Sequence, residues 1–392
     1  ILDSDGDPDY YPYQTLYGLG YKNGSEAGAY FTVIANPSLK WETQISTDIA
    51  LEFGLFDRLT GTIEYFKKDS KDLLFDVSQP ASVGVTSIIQ NIGKVTNSGV
   101  EIELDYNAFK NKDWSVSVGA NATFVKNKIK NLPATMKENG YISGSKKWLE
   151  GKSIYEFWLR QWHGVDPQTG DGLYVADVSK YNQGNIGTGD GNITQSQFDE
   201  YKKTVVTIDG KELTNSYTYA KYDFSGSSIP DVYGGFNVRV SYKNFDLAAV
   251  FSYQLGGQIL DTNYATMMSM TEFGYAQSPD LLKAWKQAGD ITEVPRIDNS
   301  AAHTTNIGQS YSTRWLTSSD YLNLRSVTIG YQLPKTWLSK VMLKSARLNL
   351  TAENLFMLKA RQGLNPMANY SGVTYNEYMP SRNITLGLNV SF

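Results

Sequence analysis

Nine stretches of this 392-residue chain alternate apolar and polar residues with a period of two, and that rhythm constrains the fold more than any other feature. In 41–53, Trp41, Thr43, Ile45, Thr47, Ile49, Leu51 and Phe53 share one side, and Glu42, Gln44, Ser46, Asp48 and Glu52 the other. In 99–107, Val100, Ile102, Leu104 and Tyr106 oppose Glu101, Glu103, Asp105 and Asn107. The pattern recurs over 59–66, 114–125, 235–242, 245–254, 321–332, 345–357 and 382–392. Alternation of this kind sends every second side chain to the same face of a strand. The fold class is therefore all-β. Over 321–332 the phase slips, because Leu322 and Leu324 are out of step with Val327, Ile329 and Tyr331; a β-bulge is expected there.

The connections are sorted by length. "GLFDR", "AFKNKD", "KN" and the somewhat longer "LPKTWLSKVMLK" join strands one to two, three to four, five to six and seven to eight. The connections between these pairs, 67–96, 126–230, 259–319 and 358–380, are all long. Antiparallel strands running up and down a barrel collect alternate turns at opposite rims, and outer-membrane barrels have short periplasmic turns and longer extracellular loops. A soluble sandwich has no reason to sort its loops this way. Phe53, Phe56, Tyr106, Phe109, Trp114, Tyr242, Phe245, Tyr331 and Trp337 flank the short turns, where an interfacial aromatic girdle belongs. The polar strand faces carry carboxylates, which suits a wet lumen, since burying them unpaired is costly.

Composition removes other classes. With 41% hydrophobic and 19% charged residues the chain is not disordered, and a net charge of −4 gives no sign of a nucleic-acid partner. No apolar run reaches the roughly 18 residues of a membrane helix. The mean hydropathy of −0.37 is still compatible with a membrane barrel, half of whose residues face water. Cysteine is absent, which excludes disulfides, thiol catalysis and cysteine-bound zinc, and His163 and His303 are the only histidines. Paired carboxylates would be the remaining catalytic machinery. Glu42, Glu52, Glu101 and Glu103 read as lumen lining, and no enzymatic role is expected.

Several stretches resemble TonB-dependent outer-membrane receptors: "NPSLKWE" (36–42), "NIGKVTNSGVEIEL" (91–104) and a terminal aromatic after an alternating strand. Others are similar to the SusC/RagA-like branch, the nutrient importers of the Bacteroidetes. They are "SIYEFWLRQWHGVDPQTGDG" (153–172), "PDVYGGFNVRVSYKNFDLAAVFSY" (230–253), "YLNLRSVTIGYQLPKTWL" (321–338) and "LNLTAENLF" (348–356). The resemblance covers essentially the whole chain. It implies a 22-stranded transmembrane β-barrel in a Gram-negative outer membrane, with an N-terminal plug and a SusD-like surface lipoprotein as lid. This chain matches the C-terminal portion of that barrel, about 9–11 antiparallel strands, reaching eleven if 153–163 and a neighbour form a pair. The plug domain is not in this chain, the start "ILDSDGDPDY" reads as no signal peptide, and the remaining N-terminal part of the barrel is expected to be supplied elsewhere. Residues 1–40 are expected to form an extracellular loop and 41–392 the wall with its long loops. The implied function is import of oligosaccharides or peptides, with TonB acting through the missing plug segment. The alternatives are a siderophore or cobalamin receptor on the same architecture and a non-transporting surface adhesin barrel.

Leu388, Val390 and Phe392 match the family's C-terminal barrel-assembly signal. For contact with substrate or lid the candidates are Tyr155, Trp158, Arg160, Trp162, Trp285, Tyr311 and Trp315, with Tyr174, Tyr264 and Tyr275 on the same loops; packing of loop against loop is the plain alternative. No cofactor is expected. Asp3, Asp5 and Asp7 offer hard oxygen ligands for a structural calcium ion, but Gly6 is out of place for an EF-hand, and 186–200 with Asp190 mimics only the later half of such a loop.

Overall fold

The computed structural model describes residues 13–392 apart from 80, 86, 190, 271–273, 275, 301–302, 304–306, 308–310 and 340–342. Nine strands form the main path of one antiparallel sheet. They are β1 (Thr43–Leu55), β2 (Leu59–Lys71), β3 (Lys94–Lys110), β4 (Trp114–Asn131), β5 (Val232–Tyr242), β6 (Phe245–Leu255), β7 (Tyr321–Gln332), β8 (Ser345–Glu353) and β9 (Asn383–Ser391). Each pairs with its neighbours in sequence, so the spatial order is the chain order, with β1 and β9 as the two edges. The strand at 156–160 does pair, with 222–227, but in a separate loop sheet. The wall therefore has nine main-path strands, not eleven.

The register carries the alternation straight across the sheet. Trp114, Tyr242, Phe245, Tyr331, Leu348 and Leu388 form one row, and Val118, Val238, Ala249, Val327, Ala352 and Ile384 another. Both lie on the apolar face. It is open to the surroundings: Ile49 is 66% exposed and Leu386 70%. An apolar surface running across a whole sheet has no place in water. The bulge expected in β7 falls at Arg325, between Leu324, opposite Phe251, and Ser326, opposite Val250. It brings Leu322 and Leu324 onto the same face as Val327, Ile329 and Tyr331.

The short connections all lie at one rim. Phe56 and Asp57 both have positive φ (56° and 54°), and Arg58 N donates to Leu55 O at 3.1 Å, a turn whose twist suits a hairpin. Asn111 Oδ1 accepts from the backbone N–H of Asp113 and Trp114, and Lys243, at φ 52°, closes the two-residue loop between β5 and β6. The aromatics beside these turns meet across strands. Trp114 and Tyr242 have ring centres 4.3 Å apart, as do Phe245 and Tyr331.

Several strand ends differ from the expectation. β2 runs on to Lys71, β3 begins at Lys94 and β4 continues to Asn131, so the loops here are 72–93 and 132–231. Apolar alternation stops before the hydrogen-bond ladder does, because outward positions become lysine, serine, threonine or aspartate. The eighth strand, expected over 345–357, ends at Glu353. Asn354 at φ 52° turns the chain, and 357–359 pairs back onto β7. Within 1–40, residues 16–23 and 26–33 form a hairpin of their own.

The dry core sits in the loops, not under the wall. Phe157, Leu159, Leu260, Met268, Trp315 and Val373, from the loops 132–231, 256–320 and 354–382, pack into one cluster. Leu260 N donates to Gly372 O at 2.7 Å, and Thr374 N to Leu260 O at 3.2 Å, tying two of these loops. The stretches 36–42 and 89–91 are also knitted together: Asn91 Nδ2 donates to Lys40 O (2.7 Å) and Asp72 O (2.8 Å), and Asn36 Nδ2 donates to Ile89 O (2.9 Å).

Candidate functional site

The polar face of the wall leads up to the loop core. Along one row, Glu101, Thr123, Tyr233, Gln254 and Tyr321 lie side by side near the long-loop ends of β3 to β7. Strand alternation fixes their common face, and the loops close over it. Tyr233, Gln254 and Tyr321, together with Ser228, Gln258 and Tyr370 from the loops, line a cavity of about 240 Å³. Gln254 Nε2 donates to Ser319 Oγ at 2.7 Å, which fixes its amide. Gln258 Oε1 is buried without a hydrogen-bond partner. A buried acceptor of this kind is costly unless a donor reaches it. Aromatic faces beside amides can hold a ligand that is partly apolar and rich in N–H or O–H groups.

Lys146 supports this cavity from behind. Its Nζ lies 3.1 Å from the centre of the Phe157 ring and donates to Tyr155 O (2.8 Å) and Ser228 Oγ (3.3 Å). Ser228 Oγ donates in turn to Tyr370 O at 3.0 Å. Burial pushes the Lys146 ammonium down to about 7, while the ring face and the carbonyl favour its charged form.

The residues proposed from sequence for contact fall into two groups. Trp158 is half-buried, stacked parallel on Tyr222 with ring centres 6.0 Å apart, and Lys147 Nζ sits 4.1 Å from its ring centre. Arg160 lies over Tyr217 at 3.6 Å and over Tyr222 at 4.3 Å, and its Nε is buried without a partner. Tyr311 is exposed beside them, its carbonyl accepting from Arg160 N at 3.3 Å. These three come together. Trp162 packs edge-on against Tyr174 beneath the Arg314 guanidinium, and Trp285 Nε1 donates to Pro167 O at 2.9 Å. Both hold loops together. Tyr155 is half-buried, and its carbonyl serves Lys146. Trp315 is 2% exposed in the loop core. Its indole packs edge-on against Tyr264 and lies beneath the Arg314 guanidinium.

Arg314 itself is half-buried, its guanidinium between Trp162 and Trp315; it donates to Ile307 O at 3.1 Å and is pushed down to about 10 by desolvation. Asp3, Asp5, Asp7, Tyr275 and Asp190 lie outside the described residues. The rest of 186–200 closes as a bridge between Ile186 and Ile193 followed by a helix, Gln195–Thr204, with Thr194 and Gln197 as a capping box. Among the described residues no group of three or more histidine, aspartate or glutamate side chains converges on a metal position. Sequence reasoning missed Tyr233, Gln254, Gln258, Tyr321 and Tyr370. Three of them occupy polar-phase positions at strand ends, a signal that was available; Gln258 and Tyr370 are brought in only by loop folding.

The family pattern described as "TonB dependent receptor-like, beta-barrel" matches residues 7–150. TonB-dependent receptor P3 of Formosa agariphila is 29% identical over 99% of this chain and 38% of its own length. The chain is part of a TonB-dependent receptor barrel. TonB-dependent receptor SusC of Bacteroides thetaiotaomicron is 24% identical over 91% of this chain and 32% of its own length. A solved structure of the RagAB peptide transporter superposes on 97% of this chain and 39% of the solved chain, at 25% identity and a TM-score of 0.75. The receptor segment described here thus spans about 38% of its relatives, and SusC- and RagA-like similarity runs along nearly all of it. Its place is the outer membrane, where an apolar sheet face meets lipid and the opposite face meets water.

Proposed function

We propose that this segment forms the C-terminal wall, lumen lining and outer loops of a SusC-type importer that takes up oligosaccharides or peptides beneath a SusD-like lipoprotein lid. The observation that carries the reading is the similarity along nearly the entire segment, at a TM-score of 0.75, to a structure described as a peptide transporter. The short-turn rim is periplasmic; residues 1–40 and the loops 72–93, 132–231, 256–320 and 354–382 are extracellular. The free edges of β1 and β9 take up strands of the remaining barrel, and a plug, engaged by TonB, fills the polar lumen. Cargo rests against Tyr233, Tyr321 and Tyr370, and an N–H or O–H of the cargo satisfies Gln258 Oε1. Trp158, Arg160 and Tyr311 meet the lid. Leu388, Val390 and Phe392 are read during barrel assembly.

Deleting the complete receptor gene and comparing growth on oligosaccharides, on oligopeptides and on chelated iron tests the reading. Loss of growth on one of the first two, with a lipoprotein co-purifying with the receptor, is expected. A defect confined to iron chelates or cobalamin would overturn it.

A further inference from the structure

On β4 the outward, apolar-phase positions run Trp114, Val116, Val118, Ala120, Ala122 and Phe124, and then change to Lys126 and Lys128. The apolar part spans ten residue steps, about 33 Å of strand. At the tilt of about 40° usual for such barrels this is roughly 25 Å of height, the thickness of a lipid-facing belt. Lys126 and Lys128 therefore stand about 5 and 10 Å above the belt, at the depth of lipid headgroups.

The neighbouring strands repeat the change. In the register, Lys67 of β2, Ser98 of β3 and Lys126 of β4 share a row, as do Asp69, Thr96 and Lys128. Lys94 stands one row further up. Lys67, Lys126 and Lys128 are exposed. Asp69 is the one outward carboxylate above the belt on these three strands. It is held by Thr96 Oγ1 at 2.6 Å, Lys94 Nζ at 3.4 Å and Lys67 Nζ at 3.5 Å. Among the described residues Lys126 and Lys128 have no carboxylate partner within 4.0 Å. The basic patch is confined to β2, β3 and β4: β5 begins at Val232, level with Phe124, β6 ends at Leu255 and β7 begins at Tyr321, so none of them reaches the rows of Lys126 and Lys128.

We propose that Lys67, Lys126 and Lys128 form a binding site for the phosphate groups of membrane-lipid headgroups, seated on the lipid-facing side directly above the apolar belt. Continuity with the belt selects a lipid over a soluble anion, because the acyl chains of a bound lipid would lie along Phe124, Val100 and Tyr65 in the row below. Lysine stems cover apolar surface while their ammonium groups reach outward. The proposal rests on the barrel's position in the membrane and not on what the barrel transports.

The complete receptor, purified in mild detergent, is tested by native mass spectrometry and by phosphorus analysis of retained lipid. The variant carries Lys67→Gln, Lys126→Gln and Lys128→Gln, and a control carries Lys202→Gln, Lys203→Gln and Lys211→Gln in the outer loops. Reconstitution into nanodiscs of zwitterionic lipid doped with a phosphomonoester lipid gives the affinity, with inorganic phosphate as competitor. Retained phosphorylated lipid is expected to fall in the variant but not in the control, with doped-lipid binding weakened roughly fivefold for each lysine lost. Lys→Arg changes at the same three positions keep the charge and are expected to keep the lipid, which separates lipid binding from folding. Equal lipid retention in variant and wild type overturns the proposal, as does displacement by free phosphate as effective as that by the lipid. So does loss of a bound protein with the lipid unchanged.

Discussion

Arg347 Nη2 lies 2.7 Å from Asp246 Oδ2, and the pair spans two strands, β8 and β6, across the top of Gly330 in the β7 between them. A Cβ at Gly330 would collide with the guanidinium and come within 2.6 Å of Asp246 Oδ1. The glycine is what lets an ion pair cross a strand on the wet face. Gly330→Val is expected to part the two side chains and lower barrel stability by about 1 kcal/mol, the scale of a partly exposed pair. Urea unfolding of the reconstituted receptor measures it, and an unchanged midpoint would count against the bridge.

At the short-turn rim, Trp114 against Tyr242 and Phe245 against Tyr331 join four strands in one row. Trp114→Ala and Phe245→Ala should each cost about 1–2 kcal/mol, through lost ring contact and a weaker interfacial anchor. The temperature at which the receptor loses its compact gel mobility should fall for both. Leu282→Ala, at an exposed loop position, should leave it unchanged.

Asp261 is buried in the loop core, where Oδ1 accepts from Tyr264 N at 3.0 Å and Oδ2 lies 3.2 Å from Arg361 Nη1. The Arg361 guanidinium also sits 3.5 Å from the Tyr264 ring centre. Asp261→Ala leaves the guanidinium without its carboxylate and one helix end uncapped. A loss of about 2–3 kcal/mol, confined to the loops, is expected. Hydrogen exchange should rise over 256–268 and 357–376 and stay flat in β1 to β4; a uniform rise across the wall would contradict a local clamp.

Lys146 gives the loop assembly a pH dependence of known sign. Its folded value is about 7 against 10.5 for the free side chain. Between those values the unfolded chain holds more protons than the folded one, so stability rises with pH from about 7 upward and the gain is absent below it. After correction for intrinsic rates, protection over 141–148 should increase between pH 6.5 and 9 in the wild type and not in Lys146→Met. Parallel slopes in the two proteins would rule the lysine out as the source.

Phe392 is 80% exposed just past the end of β9, on a strand whose outward residues Leu388 and Val390 pair with Leu348 and Ala346. Removing it alone leaves every ladder hydrogen bond of β9 in place. If it acts in assembly, Phe392→Ala should cut the amount of receptor in the outer membrane severalfold, while protein already inserted keeps its thermal stability. Normal accumulation would reject that role.

Much of the wall was legible because strand alternation has a period of two and each strand pairs with the next one along the chain. Leu51, Ile63 and Ile102 could be set on one face from spacing alone, and the phase slip near Leu324 pointed to the Arg325 bulge. The ends of β2, β3 and β4 were not legible, since lysines at outward positions break the hydrophobic rhythm while the backbone ladder continues. Trp158 and Trp315 illustrate the limit for the loops. Both are tryptophans followed by a leucine, Leu159 and Leu316, yet one is half-buried beside Lys147 and the other is sealed in the core.

By itself, then, the sequence determined which side of each strand meets lipid and which meets water, because a strand's two faces are set by local backbone geometry. Only the tertiary structure decided which loop residues are buried and which line a cavity. Contacts such as Asp261 with Arg361 or Ser228 with Tyr370 join residues 100 or more positions apart, and no local periodicity encodes them.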